Sequence, residues 1–222
     1  MCNIDTYRWV ARNVSRDEIV GKRIVEVGSY DVNGSLRDVL GLLQPAEYMG
    51  VDIVEGPGVD KICRAENLVE TFGEQSFDVV VTSSSMEHIE DWRTALSNMK
   101  RVCKNGGMLL FIAPSDWPFH EYPGDFWRYG PEDIREIFSD FDVLLLEEDK
   151  DIPSLVYAKL EKPESFSEAD IANYKLFSVV ANQRIVQHTP DLYKRIYFKR
   201  LVLKTKAKDL VLKWGKSIYP RI

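Results

Sequence analysis

The sequence predicts an α/β fold, a mostly parallel sheet with helices on both faces. Three observations predict it. Strand-like and helix-like segments alternate from residue 23 to residue 160, the pattern that crossover connections leave in a sequence. Two of the strand-like segments, 77–82 (FDVVVT) and 108–113 (MLLFIA), are apolar almost throughout, as strands covered on both faces are. The length, 222 residues with 45% apolar and 29% charged side chains, suits one core with an appendage and excludes collagen-like or wholly disordered classes.

Each element has a local reason. Residues 4–14 read as a short helix, and 17–20 lead into the core. Residues 23–27 (RIVEV) form a buried strand that Gly28 ends. Residues 35–43 carry apolar side chains at 36, 39, 40 and 43, which is helical spacing, with Ser35 as the N-cap. Residues 47–52 (EYMGVD) give a second strand, 60–63 a short third, 65–72 a helix and 77–82 the fourth strand. A helix over 91–102, a turn at Asn105-Gly106-Gly107 and the strand 108–113 follow. Residues 114–129 form a long aromatic loop. Pro131 fits a first helical position, with Glu132 and Asp133 favourable to the helix dipole. Residues 143–147 and 155–160 are closing strands whose short connection predicts an antiparallel hairpin. Residues 163–167 are a linker, and helices are expected over 168–186 and 192–214. The predicted organisation is therefore a domain over 1–162 and a helical C-terminal extension with a basic tail over 163–222.

Charge divides the chain in the same way. Residues 1–189 hold 19 basic and 33 acidic side chains, and residues 190–222 hold ten basic and two acidic, so an acidic body carries a tail of net +8. No nucleic-acid face is expected on the body. Three cysteines, Cys2, Cys63 and Cys103, include no CxxC pair, which predicts reduced thiols, a cytoplasmic location and no metal site. Neither a signal core nor a transmembrane segment is expected.

The chemistry concentrates at strand ends. Glu26-Val27-Gly28-Ser29-Tyr30-Asp31 places an acid two residues before a glycine at a strand-to-helix turn, where backbone N–H groups are free for a ligand. Asp52 ends the second strand, where a carboxylate accepts the hydroxyls of a ribose. The fourth strand runs into Thr82-Ser83-Ser84-Ser85-Met86-Glu87-His88. Ligands of open α/β sheets bind at these carboxyl ends.

The stretches RIVEVGSYDVNG, EYMGVDI, QSFDVVVTSSSMEHIEDW and KRVCKNGGMLLFIAPS, in that order, resemble class I S-adenosylmethionine-dependent methyltransferases of the type 11 group. The resemblance spans roughly residues 20–160. It implies a Rossmann-like seven-stranded sheet with a reversed hairpin at one edge, and S-adenosylmethionine as cofactor. It places Glu26, Gly28, Ser29 and Tyr30 by the methionyl and ribose portion, Asp52 on the ribose hydroxyls and Ile53 on adenine. Arg64, Ala65 and Glu66 fall at the adenine edge, and Ser83 and Ser84 under the methionyl group. The chain departs from the family at the glycine loop, which lacks its middle glycine, and at Arg64, where the family often has an acid.

A methyl acceptor with a protonated oxygen or nitrogen needs a base, for which His88 and His120 are the candidates, with Glu87 beside His88. Trp117, Tyr122, Phe126, Trp127 and Tyr129 would form a platform for the acceptor, with Asp125 and Arg128 as polar contacts. The expected reaction moves a methyl group to an oxygen or nitrogen of a small molecule, a sugar among the candidates. Two rival readings are a non-catalytic binding module and an NAD-dependent oxidoreductase. The latter lacks its GxGxxG, with Tyr30 where a glycine belongs. In the tail, Ile196, Leu203, Ala207, Leu210 and Trp214 share one helical face, expected to dock on the body or on a partner subunit; attachment to an anionic surface is the alternative.

Overall fold

The computed structural model describes residues 4–32, 34–120, 124–151 and 153–218, with only the backbone described over 208–218. Its centre is a seven-stranded sheet built from β1 (Arg23–Val27), β2 (Glu47–Asp52), β3 (Lys61–Ile62), β4 (Phe77–Ser83), β5 (Cys103–Asp116), β7 (Asp142–Glu148) and β8 (Ser154–Glu161), in the order β3-β2-β1-β4-β5-β8-β7. Strands β1 to β5 pair in parallel, and β8 runs antiparallel between β5 and β7. This is the expected sheet with its reversed hairpin. The order reverses between β1 and β4, the point in such sheets where the connections leaving adjacent carboxyl ends go to opposite faces.

Burial follows the pleat. In β1, Val25 and Val27 join the larger core cluster on one face, while Ile24 joins a second cluster on the other. Helix α1 (Ile4–Asn13) supplies Trp9 and Val10 to that second cluster. Helix α4 (Trp92–Val102) buries Trp92, Ala95, Leu96, Met99 and Val102, a stripe at helical period, and Asp91 caps it by accepting from the Thr94 N–H at 3.3 Å. Pro131 opens α5 (Pro131–Ile137) as expected.

The structure revises four expectations. The helix after β1 shrinks to α2 (Arg37–Leu40) and a 3-10 turn, Gly41–Leu43, because Gly41 weakens it and Gln44 turns left-handed at φ 63°. Ser35 still accepts from the Arg37 N–H at 3.1 Å, but Leu36 stands at the cap. The 105–107 turn lies inside β5, across a register shift. The helix expected over 168–186 does not form. Instead β9 (Leu176–Ser178) pairs antiparallel with β10 (Gln183–Ile185) and with β6 (Trp127–Arg128), placing Leu176 in the main core. Arg93 on α4 fastens this segment by donating to the carbonyls of Ile171, Tyr174 and Val186.

The fourth revision concerns the tail. Helix α6 (Ile196–Ile218) forms, but Ile196, Leu203 and Ala207 of the expected docking stripe are exposed. Phe198 packs inward instead, edge-on to Phe119 and Tyr193. The side chains of Leu210 and Trp214 lie outside the described residues.

Candidate active site

Two rims face each other at the carboxyl end of the sheet. The first follows β1 and β2. Gly28 adopts φ +77°, and a Cβ there would collide with Ser85 beyond β4. The close approach that needs this glycine is therefore made by the protein's own Ser85, whose hydroxyl bonds Thr82 at 2.6 Å and the Val27 carbonyl at 3.0 Å. Tyr30 donates its N–H to Asp52 Oδ2 at 3.2 Å, and its ring covers Gly56. Asp31 donates its N–H to the Pro57 carbonyl at 2.8 Å and accepts from the Gly34 N–H at 2.6 Å. The loop is thus pinned to the segment after β2.

Asp52 Oδ1 accepts the N–H groups of Ile53 (2.7 Å) and Val54 (3.3 Å) and Oδ2 that of Tyr30, which leaves about one acceptor site, on Oδ2, for a ligand. Beside it Ile53 is 57% and Val54 51% exposed, an apolar flank next to a carboxylate. Glu66 is half-buried and bound to Arg64 at 2.7 Å. Four of the expected cofactor residues are buried: Glu26, Ser29, Ala65 and Ser83. Glu26 accepts from Tyr48 (2.9 Å) and Ser35 (3.1 Å), and burial pushes its carboxyl up despite these bonds. It braces the rim from beneath. Ser84 sits at φ 49° and donates its N–H to the Ile112 carbonyl at 2.9 Å, joining the ends of β4 and β5.

The second rim follows β4. Glu87 is buried, and its Oε2 has no hydrogen-bond partner among the described residues. His88 Nδ1 bonds the Gly124 carbonyl, while its Nε2 lies 3.5 Å from Nε2 of His120 and 3.7 Å from Glu87 Oε1. His120 Nδ1 lies 3.1 Å from Asp125 Oδ2. Burial opposes protonation of His120, but Asp125, with Glu87 beyond it, outweighs burial and holds the imidazole above its ordinary range. Both histidines are partly exposed. So the two base candidates, 32 residues apart in sequence, meet at one point. Glu87 completes with them a group of three potential metal-ligand side chains, although no metal site was expected from the sequence.

The aromatic loop departs from the platform reading. Trp127 is 1% exposed, donates to the Glu90 carbonyl at 3.1 Å and stacks on His188 at 4.3 Å. Tyr129 is fully buried, with its hydroxyl on the Met86 carbonyl. Asp125 and Arg128 are both buried and form a two-pronged ion pair (2.5 and 2.7 Å), while Arg128 also holds the Trp117 carbonyl. These residues build the loop's interior and orient His120. Trp117 and Phe126 are half-buried against apolar clusters, and Tyr122 lies outside the described residues. The orienting roles of Gly124 and Asp125 had no sequence signal, because they depend on how the loop folds back.

The strand order reverses between β1 and β4, and the antiparallel strand beside β5 sets this sheet apart from the all-parallel dinucleotide fold. Residues 33–111, a little over a third of the chain, match the family described as "Methyltransferase domain". Over that stretch the chain is similar to S-adenosylmethionine-dependent methyltransferases of the type 11 group, in keeping with the resemblance its motifs carry. Solved structures share the fold. The N-methyltransferase NodS from Bradyrhizobium japonicum is 16% identical with a TM-score of 0.57, covering 72% of this chain and 96% of its own. A 1,6-didemethyltoxoflavin-N1-methyltransferase from Burkholderia thailandensis, solved with its substrate and S-adenosylhomocysteine, is 14% identical with a TM-score of 0.52, covering 71% and 78%. The [4+2]-cyclase SpnF is 15% identical with a TM-score of 0.52, covering 72% and 80%. No curated protein matches the chain in sequence. Among the described residues no helix is long and apolar enough to cross a membrane.

Proposed function

We propose that the chain transfers a methyl group from S-adenosylmethionine to an oxygen or nitrogen of a small molecule, with a sugar hydroxyl the first acceptor class to test. The meeting of His88 and His120 at the end of β4 carries this reading, because a hydroxyl or ammonium acceptor must lose a proton and these imidazoles are placed to take it. The cofactor supplies a methyl group on a sulfonium, whose leaving group needs no further activation, so positioning supplies most of the acceleration.

The β1–β2 rim suits the cofactor. Asp52 would take the ribose hydroxyls and the Ile53 side chain would cover adenine, with Glu66 at its edge, while Gly28 and Ser84 line the way to the methionyl end. Glu26, Ser29, Ala65 and Ser83 act from beneath as positioning residues. On the acceptor side, His88 keeps its Nδ1 proton on the Gly124 carbonyl and so presents a bare Nε2. Asp125 and Arg128 hold His120 against it. Within this reading residues 1–162 form the catalytic domain, 163–195 cover the back of α4, and any homodimer or surface contact uses the exposed flank of α6. NodS and the Burkholderia enzyme methylate nitrogen by their names, which supports keeping nitrogen acceptors in the test.

Calorimetric titration with S-adenosylmethionine and with NAD tests the cofactor, and transfer of labelled methyl to a panel of sugars and amines tests the acceptor. Tighter binding of NAD, or binding of S-adenosylmethionine without transfer to any hydroxyl or amine, would sink the proposal. His120→Asn should lower kcat by about 100-fold with an unchanged cofactor affinity.

A further inference from the structure

We propose that Glu87, His88 and His120 bind one divalent transition-metal ion, with zinc the ion that fits the donor set first. The ligand atoms of the three side chains lie within 4.8 Å of one another. Two imidazoles and a carboxylate are a usual catalytic zinc set, and they leave a fourth position open for an oxygen ligand.

The hydrogen-bond partners of the two rings leave both Nε2 atoms facing the same point. His88 Nδ1 faces the Gly124 carbonyl, which only accepts, so this nitrogen carries the proton. His120 Nδ1 faces Asp125 Oδ2 at 3.1 Å and the Pro118 carbonyl at 3.4 Å, again acceptors only. With Nδ1 engaged on each ring, Nε2 is the atom each can offer to an ion, and the two Nε2 atoms face each other at 3.5 Å. Ligands on a tetrahedral zinc ion, about 2.05 Å from the metal, stand about 3.4 Å apart, so the observed spacing already matches one edge of the tetrahedron.

Glu87 is the second, independent observation. Its side chain is 4% exposed, and its Oε2 has no hydrogen-bond partner among the described residues, a costly state for a buried carboxyl oxygen. Its other oxygen stands 3.7 Å from His88 Nε2, so side-chain adjustment from the present spacings, all within 4.8 Å, is what brings the three ligands onto one centre. The outer partners are in place too. Asp125, fixed by Arg128, orients His120, and the Gly124 carbonyl orients His88, as partners behind metal-binding histidines do. The side chains of His88 and His120 are 20% and 32% exposed, so an ion has a path in and the fourth position can meet an acceptor oxygen. In what the ion is for, this inference rests on the methyl-transfer reading: with both Nε2 lone pairs on an ion the imidazoles would no longer serve as bases, and the ion would instead polarise an acceptor hydroxyl and lower its pKa. The binding itself rests only on the three side chains.

The test is titration of the chelator-stripped full chain with Zn2+ by calorimetry and with Co2+ by visible absorption, alongside S-adenosylmethionine on the same metal-free protein. One ion per chain is expected, with intense four-coordinate cobalt bands and no thiolate charge-transfer band. His88→Ala and His120→Asn should each weaken zinc by about 100-fold or more, and Glu87→Gln by about 10-fold. Retained S-adenosylmethionine affinity in the two histidine variants shows that they are folded. No binding, a thiolate band, or wild-type zinc affinity in both histidine variants overturns the site. Failure to bind S-adenosylmethionine with zinc binding intact would overturn the methyl-transfer reading and leave the metal site standing.

Discussion

The two rims at the carboxyl end of the sheet are built by opposite means. The β1–β2 rim is held by backbone groups: Asp52 gathers three N–H groups, and Tyr30 and Asp31 pin their loop to the segment after β2. Its side chains, Ile53 and Val54 above all, are left exposed. The β4 rim is held by buried side chains, with the Asp125–Arg128 pair and Glu87 enclosed and only the edges of two imidazoles reaching solvent. A backbone-built rim should tolerate side-chain changes and break where glycine is required. A rim built on buried charge should break when one partner is removed.

The sharpest way to break the second rim is Arg128→Met. It leaves the Asp125 carboxylate buried without its guanidinium, at a cost of about 3–5 kcal/mol in urea unfolding. The Asp125→Asn, Arg128→Met double variant should recover part of that loss, since the uncompensated charge is gone. A loss below about 1 kcal/mol for Arg128→Met would show that the pair does not hold the loop. On the first rim, Gly28→Ala combines a left-handed backbone with a collision at Ser85, and should cost about 2–4 kcal/mol. Ser85→Gly in the same chain removes the collision but not the backbone strain, so a double-mutant cycle should show positive coupling. Independent losses would separate the rims where the structure joins them. Asp52→Ala should weaken S-adenosylmethionine binding about 10-fold to 100-fold in calorimetry while lowering fold stability by about 1 kcal/mol. Equal affinity in wild type and variant would remove Asp52 from the ribose.

The same contrast decides what could be read from the sequence. The sheet was legible because its strands are contiguous apolar runs punctuated by glycine and charge, and the first rim was legible because its residues end those strands. His88 and His120 could each be named as bases, but their meeting depends on a loop that folds back over β4. Trp127 and Arg128 were read as acceptor contacts but are buried: an aromatic, charged loop looks the same in sequence whether it lies open or encloses its own ion pair. Residues 168–186 were misread as helical because local spacing was the only signal, whereas Leu176–Ser178 are held extended by the two-residue strand Trp127–Arg128 and by Arg93. Long-range partners of that kind override weak local preference.

The smallest effect expected is one of slope, at the back of the second rim. His188 stacks on Trp127, with Nε2 2.7 Å from the Ser178 hydroxyl and Nδ1 3.5 Å from Glu90 Oε1; Phe126 and Tyr193 complete its surroundings. Burial holds its pKa below the ordinary imidazole value, and Glu90 offsets this only in part. The unfolded chain therefore takes up this proton before the folded chain does. The contribution of His188 to stability is full above about pH 6.5, the unfolded value, and is lost as pH falls from there through the folded pKa. His188→Phe keeps a ring for Trp127 to stack on and removes the titration. Urea midpoints measured from pH 8 down to pH 5 should fall more steeply for the wild type than for the variant below about pH 6.5, and run parallel above it. Parallel curves over the whole range would mean that His188 is protonated as readily in the fold as outside it. The β4 rim would then be wetter at its back than the stacking on Trp127 implies.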